Sequence, residues 1–309
     1  MKSKKFAIIT LLLAFICFMV YSFLPDCSYK QKNGNIQFQN PESYTTSENG
    51  WNAIIDNRHS IYCLDENELL TYAVDLHQLG FKNAEIIDIT FHSDNHLYCH
   101  VAVYNEDAYL TDSEVILEID TTGTLVREIL HYDYTKNDIP PIHQTRILGL
   151  YCNNNMLFYL YKEDNGYSIV ALNPDNPQQT ESVSIEQDGY GEIIKCHNTS
   201  DGEFLVLKNN GEIGTISLDG TYQLIDKAAY DTRTTDGIFP YDVFEIKDKI
   251  YMLAGQNELT LYEWNNENWT PLLPIQKSIQ MSDDTDLLIF GLGEYEQKLA
   301  LHVNESIYI

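Results

Sequence analysis

The pair Asp219-Gly220, at the centre of the stretch EIGTISLDGTYQLI, constrains this chain more than any other feature. Alternating residues on both sides of an Asp-Gly pair specify a β-hairpin, because glycine enters the positive-φ turn without steric cost. The pattern recurs. An apolar residue followed by Asp or Asn stands at Val74-Asp75, Ile119-Asp120, Leu172-Asn173, Leu218-Asp219 and Trp264-Asn265, at steps of 45, 53, 46 and 46 residues. A period of this size that carries only strand signals predicts a β-propeller with one four-stranded blade per repeat.

Taken in order, unit one starts at Trp51, with strands near residues 60–64 and 68–74. Four strands each are expected in units two (86–91, 96–104, 113–119, 125–130), three (147–152, 156–161, 167–172, 181–185), four (192–196, 203–207, 213–218, 222–225) and five (242–246, 249–254, 259–264, 271–275). A polar segment at residues 132–145, with Pro140-Pro141, accounts for the longer 53-residue step. The sixth unit has three strand signals, at 287–291, 298–303 and 306–309, and the next hairpin would fall one position past residue 309. The predicted fold is therefore a six-bladed β-propeller, with a seven-bladed or incomplete ring as the alternative. Residues 35–39, NIQFQ, alternate apolar and polar and are expected to seal the ring as the missing strand, which removes an exposed sheet edge.

Ahead of this array, Lys2, Lys4 and Lys5 precede an uncharged apolar run at residues 6–24, closed by Pro25-Asp26. Such a run is long enough to cross the ~30 Å hydrocarbon core as one helix. The lysines keep residues 1–5 in the cytoplasm and put everything after Pro25 outside. An uncleaved signal anchor is the expectation, since the run exceeds a secretory core and lacks an Ala-x-Ala site; cleavage after Val20-Tyr21-Ser22 is the alternative and would secrete the domain. Lipoprotein processing is disfavoured, because Ile16 and Asp26, not small residues, precede Cys17 and Cys27. The domain plan is thus a tail at 1–5, an anchor at 6–24, a polar stalk at 25–50 and a propeller at 51–309.

With 46 acidic against 19 basic residues, the formal charge of −27 repels phosphate backbones and anionic headgroups, so nucleic acid is not an expected partner. The cysteines beyond the anchor are Cys27, Cys63, Cys99, Cys152 and Cys196, an odd number without paired spacing. Cys63 and Cys99 read as one repeat position on second strands, and Cys152 and Cys196 as another on first strands. Residues that recur in this way are small core hydrophobes rather than a disulfide framework. In FHSDNHLYCH, His92, Asp94 and His96 flank a turn where a metal could sit, yet no third protein ligand is identifiable. The acidic run at residues 282–286 lacks the glycine and distal glutamate of a calcium loop. No metal, cofactor or catalytic residue is assigned.

No Gly-x-Ser-x-Gly elbow, His-Glu-x-x-His or phosphate loop is present. A sialidase site needs three arginines around the substrate carboxylate, and the four present in all lack that family's surrounding motif; glycoside hydrolysis needs two carboxylates that sequence cannot choose among 46 acids. Over residues 51–309 the strand pattern and turns such as ISLDGTYQLI resemble the diffuse class of bacterial six- to eight-bladed propellers used as exported or membrane-anchored binding and sensor modules. That resemblance implies a non-catalytic binding or sensor module; the insertion at residues 132–145 and its aromatics further suggest a loop whose tyrosines stack on a sugar or peptide, with an envelope protein as the other expected partner. An exported carbohydrate-active or other hydrolytic enzyme on the same scaffold is the alternative, and a structural subunit of an envelope complex is the third. Because the expected cytoplasmic tail spans only residues 1–5, any signalling would require a partner.

Overall fold

The computed structural model describes residues 41–105, 110–134, 145–185, 191–227, 240–255, 259–274, 290–295, 298–303 and 306–308. The predicted anchor (6–24), sealing strand (35–39) and acidic run (282–286) lie outside them, as does most of the 132–145 loop. Among the described residues no helix is long and apolar enough to cross a membrane.

Every described element is a strand, and all sheets are antiparallel meanders of sequential strands. Blade one is β1 (Pro41–Thr46), β2 (Asn52–Asp56), β3 (Ser60–Leu64) and β4 (Leu70–Asp75). Blade two is β5 (Ala84–Phe91), β6 (Leu97–Tyr104), β7 (Thr111–Ile119) and β8 (Leu125–Asp133). Blade three is β9 (Ile147–Asn153), β10 (Met156–Glu163), β11 (Gly166–Leu172) and β12 (Thr180–Ser184). Blade four is β13 (Ile193–Asn198), β14 (Phe204–Lys208), β15 (Glu212–Ile216) and β16 (Tyr222–Lys227). Blade five is β17 (Pro240–Ile246), β18 (Lys249–Ala254), β19 (Thr260–Trp264) and β20 (Trp269–Pro274). A last sheet has three strands, β21 (Phe290–Tyr295), β22 (Lys298–Val303) and β23 (Ser306–Tyr308). The fold is a β-propeller with five complete blades, where the sequence predicted six. The first strands stand next to one another in the succession β1, β5, β9, β13, β17 and β21, and β21 returns to β1.

Blade one corrects the reading of the repeat. From Ile119-Asp120 onward each hairpin mark falls at the turn between third and fourth strands, but Val74-Asp75 ends the fourth strand of its blade. The equivalent turn in blade one is Leu64-Asp65. Both aspartates share one local bond: Asp65 Oδ1 accepts the Asn67 N–H at 2.9 Å, and Asp75 Oδ1 accepts the His77 N–H at 2.8 Å. Composition alone therefore could not separate them. The slip hid two strands. Pro41–Thr46, expected in the stalk, is the first strand of the sheet, so the sheet begins ten residues before Trp51. Cys63 accordingly sits on a third strand and Cys99 on a second, although both are fully buried core residues. Cys152 and Cys196 both lie on first strands, of blades three and four, but not at one repeat position: Cys152 is three residues past the register shift at Gly149, and Cys196 one residue past the shift at Lys195.

Middle strands are apolar on both faces because each blade is sandwiched between two others. In β14 all five residues of FLVLK are buried, and β6 is buried from Leu97 to Ala102. Outer strands face water: β12 is exposed throughout. The core is a series of inter-blade layers. Ile55, Ile61 and Val74 of blade one pack with Ile89, Leu97 and Leu117 of blade two. Blades two and three share Ile129, Leu150 and Leu172, blades three and four Ile169 and Phe204, and blades four and five Leu205 and Met252. Full burial of one such side chain stabilises by about 1.5–3 kcal/mol.

Candidate functional site

Four of the first strands carry a bulge at one repeat position, between Pro41 and Ser43, Ile86 and Asp88, Ile193 and Lys195, and Pro240 and Asp242. The pairing of β9 shifts at the corresponding place, between Ile147 and Gly149. A bulge leaves one residue unpaired and re-aims the next. In blades two and five the next residue is an aspartate. Asp88 Oδ1 accepts the N–H of Ile89 at 2.9 Å, and Oδ2 accepts the N–H of Leu150, in the neighbouring blade, at 2.7 Å. Asp242 repeats the local bond, to Val243 N at 2.9 Å, and its Oδ1 meets His197 Nε2 of blade four at 2.8 Å. The bulged aspartates therefore join blades to one another along the channel.

Asp88, Ile89 and His197 line a cavity of about 790 Å³ that runs to the mouth formed by the turns between first and second strands. The turns are tight. Asn154-Asn155 and Lys247-Asp248 hold φ between 48° and 62°, the geometry of a two-residue type I′ hairpin turn. Neighbouring turns are tied by side chains. Asn49 Nδ2 donates to Ser93 O and to Asn95 Oδ1, both at 3.3 Å, and Ser93 Oγ donates to Asn155 Oδ1 at 3.3 Å. Asn198 Nδ2 donates to Leu150 O at 2.7 Å, while the backbone N–H of Ser200 donates to Glu245, whose other oxygen accepts the Asp248 N–H at 2.7 Å. The His197 ring stands edge-on to Phe244 at 5.1 Å. The wall mixes neutral hydrogen-bonding groups, Thr90, Asn153 and Asn198 among them, with Glu48, Asp88, Glu245 and Lys247. Burial pushes the Asp88 carboxyl above its ordinary range, opposed by the N–H groups of Leu150 and Ile89.

The histidines singled out by sequence divide their roles. His92 Nδ1 meets Asp94 Oδ1 at 2.6 Å, and the His96 N–H donates to the same oxygen at 3.1 Å, so Asp94 caps its own turn. His92 lines the channel cavity, whereas His96 Nδ1 turns to Glu118 at 2.9 Å. Among the described residues no group of three or more His, Cys, Asp or Glu could hold a metal ion. His100 lies apart, buried, with Nε2 at 2.7 Å from Glu114. Sequence reading missed Asp88, Asp242, His197 and Glu245. Their signal, an aspartate third or fifth in a first strand, is visible only once strands are aligned on the bulge.

The thiols are held above their ordinary range by burial, Cys63 and Cys99 in the core and Cys152 and Cys196 in the cavity wall. Burial pushes Cys63 up to about 11 and Cys152 to about 12, and the Cys196 sulfur fills the space a Cβ on Gly149 would need, 2.6 Å away. Cys63, Cys99, Cys152 and Cys196 are all unpaired.

No family model matches the chain, and no curated protein matches it by sequence. Among solved structures it is similar to the β-propeller domain of Cps50 (Swd1) from Myceliophteria thermophila, at 11% identity and a TM-score of 0.55, covering 88% of this chain and 97% of that one. It is also similar to a Bacteroides caccae protein of unknown function, at 11% identity and a TM-score of 0.49, covering 77% and 82%. Likeness at this identity reports architecture alone, and the Cps50 likeness together with the blade topology above makes this chain a β-propeller.

Proposed function

We propose that this chain is a non-catalytic ligand-binding propeller, held on the outer side of the cell membrane by residues 6–24. The observation that carries the reading is the channel cavity of about 790 Å³, a volume within the range of ligand pockets. Its wall offers neutral hydrogen-bonding groups, while its carboxylates Asp88 and Glu245 are each engaged in bonds between blades. Such a wall suits an uncharged sugar chain or a peptide. In this reading six units make the ring, and residues 35–39 complete the three-stranded last sheet. The orientation rests on Lys2, Lys4 and Lys5 before the apolar run.

Titrating the detergent-solubilised full chain with neutral oligosaccharides and with peptides tests the binding claim. A saturable ligand lost in Asn153→Leu, with the melting temperature unchanged, is expected; indifference of every ligand to that change overturns the channel as the site. Protease treatment of intact cells should degrade the blades, and full protection refutes the outward placement. A hydrolytic reading draws on one observation, the raised carboxyl of Asp88 in the cavity wall. Turnover of a chromogenic glycoside that disappears in Asp88→Asn would favour it over binding alone.

A further inference from the structure

At the side of the propeller, blades two and three enclose a second cavity of about 270 Å³. The strand register builds it. Tyr132 of β8 is directly across from Glu114 of β7, and Tyr161 of β10 is directly across from Ser168 of β11. Residues paired in this way share one face of their sheet, so each blade presents a tyrosine beside a polar group. Tyr159, two residues before Tyr161, points to the same side. The rings make a box: Tyr132 stands at 67° to Tyr161 with centroids 6.1 Å apart, and Tyr159 at 77° with centroids 6.4 Å apart. Glu114 and the exposed Glu163 complete the lining together with Ser168.

Two features distinguish this box from ordinary core. The Ser168 hydroxyl is buried, with the residue 1% exposed, and has no hydrogen-bond partner among the described residues. A buried polar atom without a partner is costly unless something supplies one. Both charged residues that line the cavity are carboxylates. Glu114, 1% exposed, is fixed by the N–H groups of Arg146 at 2.6 Å and Ile147 at 3.1 Å and by His100 Nε2 at 2.7 Å. The Arg146 guanidinium lies 6.0 Å over the neighbouring Tyr134 ring, pairs through Nη2 with Asp164 at 2.9 Å and also hydrogen-bonds the Tyr161 hydroxyl. One face of the cluster thus already holds a cation. Burial pushes Tyr159 up to about 12, so its ring is a neutral phenol with an electron-rich face.

We propose that this cavity binds a small alkylated ammonium ion that carries a hydroxyl or carbonyl arm, the onium group within the tyrosine box and the arm on the Ser168 hydroxyl. Electron-rich faces attract a weakly hydrated cation, and an onium group sheds water more readily than a primary ammonium. Glu114 and Glu163 supply opposite charge without a second base in the lining. An anion would meet both carboxylates and is excluded by the same geometry. The site is separate from the channel and stands whether or not the channel binds a sugar or peptide.

The test is calorimetric titration of the full chain in detergent with choline, tetramethylammonium and 3,3-dimethylbutan-1-ol, the uncharged isostere of choline. Choline should bind at least about tenfold more tightly than the isostere, and more tightly than tetramethylammonium, which lacks the arm. Tyr161→Leu should weaken choline by about tenfold or more. If that variant does not fold, Glu163→Gln at the exposed rim should weaken it about threefold, and Ser168→Ala should bring choline and tetramethylammonium together. Equal binding of choline and its isostere, or no saturation by about 10 mM, overturns the proposal. Loss of choline in the channel variant Asn153→Leu, with Tyr161→Leu unaffected, also overturns it, since the cation would then lie in the channel.

Discussion

At the scale of the residue, the turn glycines do two jobs. Gly220 has φ of 85°, and a Cβ there would come within 2.8 Å of Val183 Cγ1 and 3.1 Å of Ser184 O, on the outer strand of the preceding blade. Gly123 repeats the arrangement, with a Cβ meeting the Tyr72 ring at 2.9 Å. The hairpin tip of one blade therefore rests against the last strand of the blade before it. Gly80, with φ of 99°, has nothing within 4 Å and isolates backbone strain. Gly80→Ala should cost about 1 kcal/mol, and Gly220→Ala at least ~1 kcal/mol more from overpacking; equal losses in urea unfolding would show that the contact contributes nothing. At the same turn, the hydroxyl of Ser217 and then Thr221 hold the Asp219 carboxyl at about 2. Because the folded value lies below the unfolded one of about 3.9, this contribution is complete above that pH and disappears as pH falls toward about 2. Asp219→Asn keeps the accepting oxygen and cannot titrate, so its urea midpoint should fall less than that of the parent chain between pH 4 and 2.

At the scale of the element, strands two and three of blades two to five were legible because both their faces are buried, which writes runs such as FLVLK and ILEI into the sequence. Phe204, 0% exposed in the layer between blades three and four, should cost about 3–5 kcal/mol as Phe204→Ala. Val183 on β12 is 43% exposed, and Val183→Ala should change stability by less than about 0.5 kcal/mol. Thermal unfolding of both variants checks the contrast, and similar losses would contradict the layered core. β1 was illegible for the opposite reason. Pro41–Thr46, PESYTT, has no apolar alternation, and its partnership with β2 comes from register against NAIID. The bulge aspartates were hidden likewise, since Asp88 and Asp242 gain their role from the blades beside them.

At the scale of the whole molecule, the last sheet is, among the described residues, one strand short of the other five. Under the ring-sealing proposal, deletion of residues 34–40 should lower the melting temperature and the solubility, because it would expose a sheet edge. An unchanged melting temperature in differential scanning calorimetry would refute that role for the segment.

The sequence by itself determined the class of fold, the blade period and the strands of blades two to five, because hairpin chemistry and burial on both faces are local and periodic. Asp219-Gly220 served as a ruler because an aspartate that accepts its own backbone N–H groups needs no distant partner. For that same reason it misplaced blade one, where Asp65 and Asp75 each accept the backbone N–H two residues on. Only the tertiary structure decided which turn belongs to the blade and which joins two blades. Only it could bring Asp88 to Leu150, His197 to Asp242, and the tyrosines of two blades around one cavity. Those contacts cross between sheets, and their geometry is set by how blades pack rather than by any period along the chain.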